Sequence, residues 1–480
     1  MQADTRRASR TGNENPPTLR SLPKKTRRVT NAAALGFYVD VIDIYLPTVV
    51  LAPAIIFFAP PESSLATSTT MFYIIFAATL LARPFGAVVF GHIADTVGRR
   101  RSVSIAIPCV AVLTLAMAAL PGYSSIGIVA YVLMLAVRFM GGFFMGGATA
   151  GLPALAMESA PKNLRGAVGA YTNIGYPLGA ATISVAAAIV LHYLPANGIG
   201  SSYVQWGWRM PFVLGAVATL GFLIYFRKVV TESLPAESQE QGTTPRRRPL
   251  VELTRGRNRR SLIQILIMMS GVWLGFHAIS SAVPGVLVNY LGQSASTVSQ
   301  GLVAANIILA FCYFGYGALG QRIGRRKVLM WAGVSVTTLG ASLYAVALLN
   351  ASNGGSGVVT MALIGICIVL AAGIFPVSVT YITERFPTSV RATGFAVGYS
   401  VATMLPALYS FYMLGLELLV PYSYTPVILV VIAGCLTTYG AWLGPETRDV
   451  DLDAVGADLG ESNSLTSNMD DLQAGEVLQK

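Results

Sequence analysis

Charged side chains are scarce in this sequence. Asp, Glu, Lys and Arg make up 11% of the 480 residues, and apolar residues make up 54%, whereas an average soluble domain carries about 25% charge. So few charges cannot cover a globular protein with a polar surface, which excludes a soluble domain. The 48 glycines favour a helical membrane bundle, because small residues let helices approach closely.

Cysteine is also rare, and no catalytic motif is present. The four cysteines, Cys109, Cys312, Cys367 and Cys435, lie singly inside apolar runs, which predicts core packing rather than a metal site or a disulfide framework. No nucleophile elbow, phosphate loop or metal-ligand helix is found. The sequence therefore argues against a membrane enzyme. It also argues against a receptor or sensor, because no segment is long enough for an added signalling domain.

Basic residues are missing from one side of the expected membrane. Six connections between apolar runs, such as 289–299 and 350–357, contain no Lys or Arg, while the alternate connections are all basic. This asymmetry marks the basic side as cytoplasmic and predicts that both termini are cytoplasmic. The net charge of +11 is therefore explained by topology, and we expect no nucleic-acid partner.

Twelve apolar runs are long enough to cross a bilayer, which takes about 20 residues at about 1.5 Å each. They cover 31–58, 68–91, 102–120, 126–156, 166–193, 209–227, 261–290, 298–320, 328–349, 357–383, 392–416 and 425–444. We expect an all-α integral membrane protein with 12 transmembrane helices in two six-helix bundles, 31–227 and 261–445. A basic tail (1–30), a polar linker (228–260) and an acidic tail (446–480) complete this organisation. The expected location is the cell or inner membrane.

Two motifs each occur twice in the chain. The first contains Gly91, Asp95, Gly98, Arg99 and Arg100, and its second copy contains Gly317, Gln321, Gly324, Arg325 and Arg326. The other contains Glu158, Pro161 and Arg165, and recurs as Glu384, Pro387 and Arg391. The offset is 226 residues at every matched position, which predicts two parallel repeats.

Both motifs resemble signatures of the major facilitator superfamily. Three further elements, Arg83-Pro-Phe-Gly-Ala87, Gly207-Trp-Arg-Met-Pro-Phe212 and Gly444-Pro-Glu-Thr-Arg448, are similar to those of its sugar-porter and metabolite:proton-symporter branches. The resemblance covers about residues 30 to 450. It implies a carrier that works by alternating access. Two positions depart from the family pattern: Gln321 stands where the pattern has an acidic residue, and Thr96 stands where it has a basic residue.

The resemblance assigns the repeated motifs to a cytoplasmic gate held by breakable ion pairs. The residues implied are Gly91, Asp95, Gly98, Arg99, Arg100, Glu158, Arg165, Gly317, Gly324, Arg325, Arg326, Glu384 and Arg391. In a second interpretation the arginines only anchor the chain at the lipid headgroups. Asp95 favours the gate, because a carboxylate adds nothing to such an anchor.

Three charged residues lie deep inside predicted spans. Counting along the helices puts Asp40 and Asp43 about 14–18 Å into the first span and Arg138 about 18 Å into the fourth. A charge at the bilayer centre costs at least about 2.5 kcal/mol, so each indicates a partner. An aspartate facing an arginine can exchange its salt bridge for a proton, as the resemblance also implies, and we favour Asp40 for the proton and Asp43 for the site wall. The alternative is a purely structural ion pair.

Polar and aromatic residues at mid-depth complete a candidate substrate site. Arg83, in the second span, either binds an anionic substrate or stabilises the bundle. The other candidates are Tyr171, Asn173 and Tyr176 on the fifth span, Trp273 and His277 on the seventh, Asn306 on the eighth and Tyr399 on the eleventh. Taken alone, His277 is more typical of a satisfied interior histidine than of a ligand.

The sequence thus predicts a secondary active transporter rather than an enzyme. Proton-coupled symport of a small organic acid or similar metabolite is the leading hypothesis. Proton-driven efflux of drugs or metabolites and sugar-type facilitation are the alternatives, and the two aspartates disfavour an uncoupled facilitator. The expected partners are a small-molecule substrate, protons and the lipid bilayer, and the expected state is a monomer. We expect the proton gradient as the energy source, with no cofactor and no metal.

Overall fold

Twelve long apolar helices form the molecule. The computed structural model describes Leu19 and residues 22–97, 99–149, 156–157, 159–229, 249–387 and 390–450. Its helices of membrane-spanning length and composition, named spans 1 to 12 in chain order, are Thr26–Val50, Thr67–Phe90, Arg101–Ala118, Val129–Gly147, Lys162–Tyr193, Tyr203–Val229, Gly256–Tyr290, Ala295–Ile323, Arg325–Ser352, Gly357–Glu384, Thr393–Leu416 and Tyr422–Trp442. The predicted all-α class with twelve spans is confirmed.

Some helix ends differ from the predicted bounds. The first helix begins at Lys24, inside the predicted basic tail, and ends at Val50. A 3₁₀ helix, Ala52–Phe57, follows with a proline near its start, because proline cannot donate the backbone hydrogen bond that would continue an α-helix. Helix Gly256–Phe276 begins inside the predicted linker. Residues 1–18, 230–248 and 451–480, which hold most of the two tails and the linker, lie outside the described residues.

Several spans are interrupted near mid-length. Span 7 continues from Phe276 into π-helical turns at His277–Ser281 and Gly285–Tyr290. Span 11 contains a 3₁₀ turn at Val401–Thr403, span 5 breaks between Arg165–Asn173 and Gly175–Tyr193, and span 10 breaks between Gly357–Ala372 and Phe375–Glu384. Breaks free backbone carbonyls, which need partners inside a membrane. Two tyrosines supply them in span 7: Tyr344 donates to the Ala278 carbonyl at 3.1 Å, and Tyr73 to that of Ala282 at 2.5 Å.

Glycines set the helix packing within each bundle. In the first bundle, Gly146 of span 4 lies so close to the backbone of Arg83 in span 2 that any Cβ would collide with it. In the second, a Cβ on Gly271 of span 7 would lie 2.5 Å from the backbone nitrogen of Thr437 in span 12. In lipid the hydrophobic effect does not drive helices together. Van der Waals contact between closely packed helices therefore stabilises their association. Spans 1–6 and 7–12 form two six-helix bundles.

The bundles meet through spans 1, 2 and 5 on one side and spans 7, 8, 10 and 11 on the other. Span 5 runs beside span 8, and Gly166 and Gly317 touch where a Cβ on either would lie 2.6 Å from the other's carbonyl oxygen. This end of the interface, which also carries Glu384, is called the motif end. Its glycines leave no space between the bundles.

The other end of the interface, called the opposite end, is closed by aromatic residues. The hydroxyls of Thr70 and Tyr422 lie 3.2 Å apart. Gly285 of span 7 packs directly on the Tyr73 ring of span 2, and that ring lies 5.1 Å from the ring of Tyr409. Both ends of the interface are therefore in contact, and the buried centre lies between them.

Candidate functional site

Asp40 and Arg83 form a two-point ion pair beside the interface. One guanidinium nitrogen of Arg83 lies 3.2 Å from Asp40 Oδ2, and the other contacts Oδ1. Span 5 packs closely against this part of span 1: a Cβ on Gly175 would lie 2.6 Å from the backbone nitrogen of Tyr38. Arg83 Nε is buried and finds no hydrogen-bond partner among the described residues. The pair therefore keeps one N–H available for another group.

Asp43 and Arg138 form a second pair, inside the first bundle. Arg138 donates to the Asp43 carbonyl at 2.8 Å, and its guanidinium lies 3.5 Å from Asp43 Oδ1. Thr114 of span 3 donates to the same Oδ1 at 3.1 Å. The guanidinium also contacts the Met117 sulfur and lies 5.7 Å from the centre of the Phe212 ring. These contacts come from spans 1, 3, 4 and 6, so this pair is surrounded by its own bundle.

The arrangement differs from the sequence prediction in one respect. Asp40, Asp43 and Arg138 were expected to act together, with Arg83 apart, but Arg83 is the partner of Asp40, and Arg138 is the partner of Asp43. Asp43 follows Asp40 by three positions, so their side chains lie about 60° apart around the helix. Within that angle Asp40 meets span 2, whereas Asp43 meets spans 3 and 4.

We expect the Asp43–Arg138 pair to matter for stability. Replacing Arg138 by Leu leaves a buried carboxylate without its cation, which costs about 3–5 kcal/mol in other proteins. The variant should melt well below the wild type in detergent, and adding Asp43→Asn should restore part of the loss. Equal melting temperatures for wild type and Arg138→Leu would contradict this role.

Aromatic residues from both bundles surround the centre. Trp273 Nε1 donates to the Tyr399 carbonyl at 3.0 Å, and the two rings lie 5.1 Å apart. Trp273 also stacks on His277 at 5.5 Å. Tyr176 of the first bundle packs against Phe276 at 5.1 Å. The structure therefore brings together four of the predicted substrate-site residues: Tyr176, Trp273, His277 and Tyr399.

His277 occupies a satisfied interior position. Its Nδ1 lies 3.3 Å from the Ser281 hydroxyl and its Nε2 lies 3.3 Å from the Thr403 hydroxyl. The side chain is fully buried. Both ring nitrogens are thus engaged by the turns that interrupt spans 7 and 11.

Tyr171, Asn173 and Asn306 are placed differently. Tyr171 lies near Tyr225 of span 6. It precedes Tyr176 by five positions, so the two side chains lie about 140° apart around the helix. Asn173 donates to the Gly169 carbonyl of its own helix at 2.9 Å, and Asn306 to that of Leu302 at 2.8 Å. Asn306 Oδ1 is buried and has no partner within the described part of the chain.

Tyr313 of span 8 is a central residue that the sequence reading missed. Its side chain is fully buried, and its hydroxyl has no hydrogen-bond partner among the residues described. It lies near Tyr176 and Tyr399. Tyr313 follows Asn306 by seven residues, or about two turns, so it shares a helix face with a residue already selected.

Glu384 organises the charges of the motif end. Its carboxylate lies 3.1 Å from the guanidinium of Arg325 and 3.9 Å from that of Arg165, so it connects the two bundles. Thr447 donates to its other oxygen at 2.7 Å. Arg325 also donates to Gln321 Oε1 at 2.9 Å. The neutral Gln321 thus acts as an acceptor where the family pattern has a carboxylate.

Glu446 caps the helix of span 9. Its carboxylate accepts hydrogen bonds from the backbone N–H groups of Arg325 at 2.7 Å, Arg326 at 3.2 Å and Arg448 at 3.1 Å. Gly324, with a φ of 107°, makes the turn into the helix, where a negative charge is favourable. The start of the predicted acidic tail is therefore packed against the second bundle.

The remaining gate candidates are only partly described. Gly91 and Asp95 lie in the helix Leu65–Val97, and Arg99 and Arg100 begin the helix Arg99–Ala118; their side chains lie outside what the structure describes. Gly98 and Glu158 lie outside the described residues. Arg391 donates to the Phe386 carbonyl at 3.1 Å. The gate role of these positions stays a prediction.

Comparison with known proteins agrees with this architecture. The sequence model of the Major Facilitator Superfamily matches residues 33–409. The chain is similar to the inner membrane metabolite transport protein YhjE of Escherichia coli K12, with 29% identity over 393 residues, 79% of this chain and 85% of that protein. It is also similar to the alpha-ketoglutarate permease of Escherichia coli K12, with 28% identity over 375 residues, 78% of this chain and 83% of that protein.

A solved structure shares the fold. The proton:xylose symporter XylE bound to 6-bromo-6-deoxy-D-glucose aligns with a TM-score of 0.65, covering 90% of this chain and 98% of that one at 17% identity. At this identity the likeness bears on the fold alone, and it agrees with two six-helix bundles.

Proposed function

Because the chain belongs to the major facilitator superfamily, we propose that it is a proton-coupled symporter of small organic anions. The family and the relatives found are transporters and not enzymes, and the chain is a multi-pass membrane protein. We place it in the inner membrane, as in the relative YhjE, with both termini in the cytoplasm, as the basic loops predict.

The observation that carries the proposal is the Asp40–Arg83 pair. Asp40 is buried and Arg83 is largely so, the pair lies on spans 1 and 2 of the first bundle, and Tyr399 of the second bundle lies close to both charges. A buried carboxylate can be neutralised by a proton or by a cation. Protonation of Asp40 therefore releases Arg83 and leaves the positive charge of its guanidinium uncompensated.

The released Arg83 supports an anionic substrate. A guanidinium binds a carboxylate at two points, as Arg83 binds Asp40 in the structure. A substrate carboxylate can take the place of Asp40 only when Asp40 holds a proton. Anion and proton thus bind together, which is the requirement for symport. The relative named for alpha-ketoglutarate is consistent with a carboxylate substrate.

The two ends of the interface are suited to open in turn. The motif end is held by ion pairs around Glu384 and by the contact between Gly166 and Gly317. The opposite end is held by tyrosines and by hydrogen bonds such as that between Thr70 and Tyr422. Opening one end while the other stays in contact exposes the centre to one side of the membrane at a time.

We expect transport by purified wild-type protein in liposomes to follow the pH gradient. With an acidic exterior, alpha-ketoglutarate or a related carboxylate should accumulate above its external concentration, because each anion enters with a proton. A protonophore should reduce the final level to simple equilibration. The measurement is uptake of labelled carboxylate with and without the gradient.

Three other results would contradict the proposal. Accumulation that needs no pH gradient would remove proton coupling. Accumulation driven only by an acidic interior would indicate proton-driven efflux. Transport of neutral sugars with no response to carboxylates would remove the anionic substrate class. Vesicles containing Gly315→Ala serve as a matched protein control, because a Cβ at Gly315 meets nothing within 4 Å.

A further inference from the structure

The unpartnered hydroxyls near the Asp40–Arg83 pair form a group of their own. Tyr399 and Tyr313 each have a buried hydroxyl with no hydrogen-bond partner in the described part of the chain, and the same holds for Arg83 Nε. Tyr399 lies near Arg83, where the helix Arg391–Ser400 contacts the helix Leu65–Val97, and it also lies near Tyr313. Free hydrogen-bond donors from spans 2, 8 and 11 therefore lie around one place.

Other buried tyrosines of the described residues have a hydrogen-bond partner. Tyr203 donates to the Val50 carbonyl at 2.9 Å, and Tyr344 to that of Ala278 at 3.1 Å. Leaving a buried hydroxyl without a partner costs about 1–3 kcal/mol, so the exceptions require an explanation. Tyr409 is another exception, and its ring packs between Tyr73 of the opposite end and His277.

We infer that Tyr313 and Tyr399 bind a second oxygen-bearing group of the substrate, whose first carboxylate is bound by Arg83. This inference rests on the proposed function and names its substrate class: organic anions with a carboxylate at one end and a carboxylate, keto or hydroxyl group further along. Arg83 Nε–H can only donate a hydrogen bond, while each tyrosine hydroxyl can donate or accept one. An acceptor oxygen therefore satisfies all three groups. An ammonium group would be repelled by the guanidinium, and an apolar chain would leave the hydroxyls unpartnered.

The position of the two tyrosines gives the second group a role in the transport cycle. Arg83 belongs to the first bundle, whereas Tyr313 and Tyr399 belong to the second. A substrate with acceptors at both ends contacts both bundles at once, and it stabilises the conformation in which the bundles are close. A monocarboxylate with an apolar tail contacts only Arg83 in this way.

The test compares three ligands with the same carbon chain length: pentanoate, glutarate and alpha-ketoglutarate. Their affinities are measured on the purified full chain at one pH, so the result does not depend on proton coupling. The wild type should bind glutarate and alpha-ketoglutarate more tightly than pentanoate. Tyr313→Phe keeps the ring and removes the hydroxyl, so affinity for the two dicarboxylates should fall about ten- to hundredfold, with pentanoate unchanged.

Tyr344→Phe is the matched control, because it removes an equally buried hydroxyl that bonds to the Ala278 carbonyl. It should leave the ratio of affinities as in the wild type. An unchanged ratio in Tyr313→Phe, or an equal loss for all three ligands, would overturn the inference and leave the proposed symport standing. If the wild type binds none of the three, the inference falls together with the anionic substrate class.

Discussion

Replacing Asp40 by Asn should reduce pH-driven accumulation to the level of vesicles without protein, while exchange of preloaded substrate continues. Asn keeps the shape of the side chain but cannot exchange a charge for a proton. Arg83 then has no carboxylate partner in its own bundle and stays available to the substrate anion. The carrier can cross in the loaded form, but its empty form has an unpaired buried guanidinium, which is costly.

Asp43→Asn is the matched control, since it removes a carboxylate one turn away that belongs to the Arg138 pair. This variant should lose stability, and the folded fraction should still accumulate substrate in response to pH. Substrate binding by Asp40→Asn should be checked first, to show that the protein is folded. Equal loss of uptake and exchange in Asp40→Asn would contradict a coupling role, as would coupling that depends on Asp43 instead.

The fold could be predicted from sequence because its signals are averages over many residues. A span is recognised from about 20 residues of apolar composition, so a few polar residues such as Asp40 and Asp43 do not hide it. The repeat rests on two motifs that agree in one offset, from Gly91 to Gly317 and from Glu158 to Glu384. Such signals tolerate errors of several residues in the bounds, as at the first helix.

The pairing of charges could be predicted only in part. Counting residues gives the depth of Asp40, Asp43 and Arg138 in the membrane, and it correctly indicates that buried charges have partners. It does not give the rotation of one helix against another. That rotation depends on close contacts such as Gly146 against Arg83, and these determine that Arg83 faces Asp40.

The candidate site shows the same limit. Tyr176 and Tyr399 reach the centre, but Tyr171 turns towards Tyr225, because the face that a span presents to the centre is set by its packing. Tyr313 was missed because a tyrosine in an apolar run is most often core packing. Its distinguishing property, an unpartnered hydroxyl, exists only in three dimensions.

Gly317→Ala should open the motif end of the interface. Gly317 touches Gly166 of the other bundle, and an added Cβ would lie 2.6 Å from the Gly166 carbonyl oxygen. Backbone cannot move aside as a side chain can, so relief requires the bundles to separate at this end. Overpacking of this kind costs about 1–3 kcal/mol, which shifts a two-state population about five- to hundredfold.

The population shift can be measured by the rate at which a thiol reagent labels a cysteine introduced at Thr380. This residue is buried at the motif end beside Gly169. The native cysteines Cys109, Cys312, Cys367 and Cys435 are replaced first. A reagent added on the side of the membrane that faces the motif end should label this cysteine faster in Gly317→Ala. Substrate accumulation should fall, because the carrier returns less often to the conformation in which the motif end is closed. Gly315→Ala, on the same helix with open space around its Cβ, should change neither. Unchanged labelling in Gly317→Ala would show that the contact between the two glycines does not hold the motif end closed.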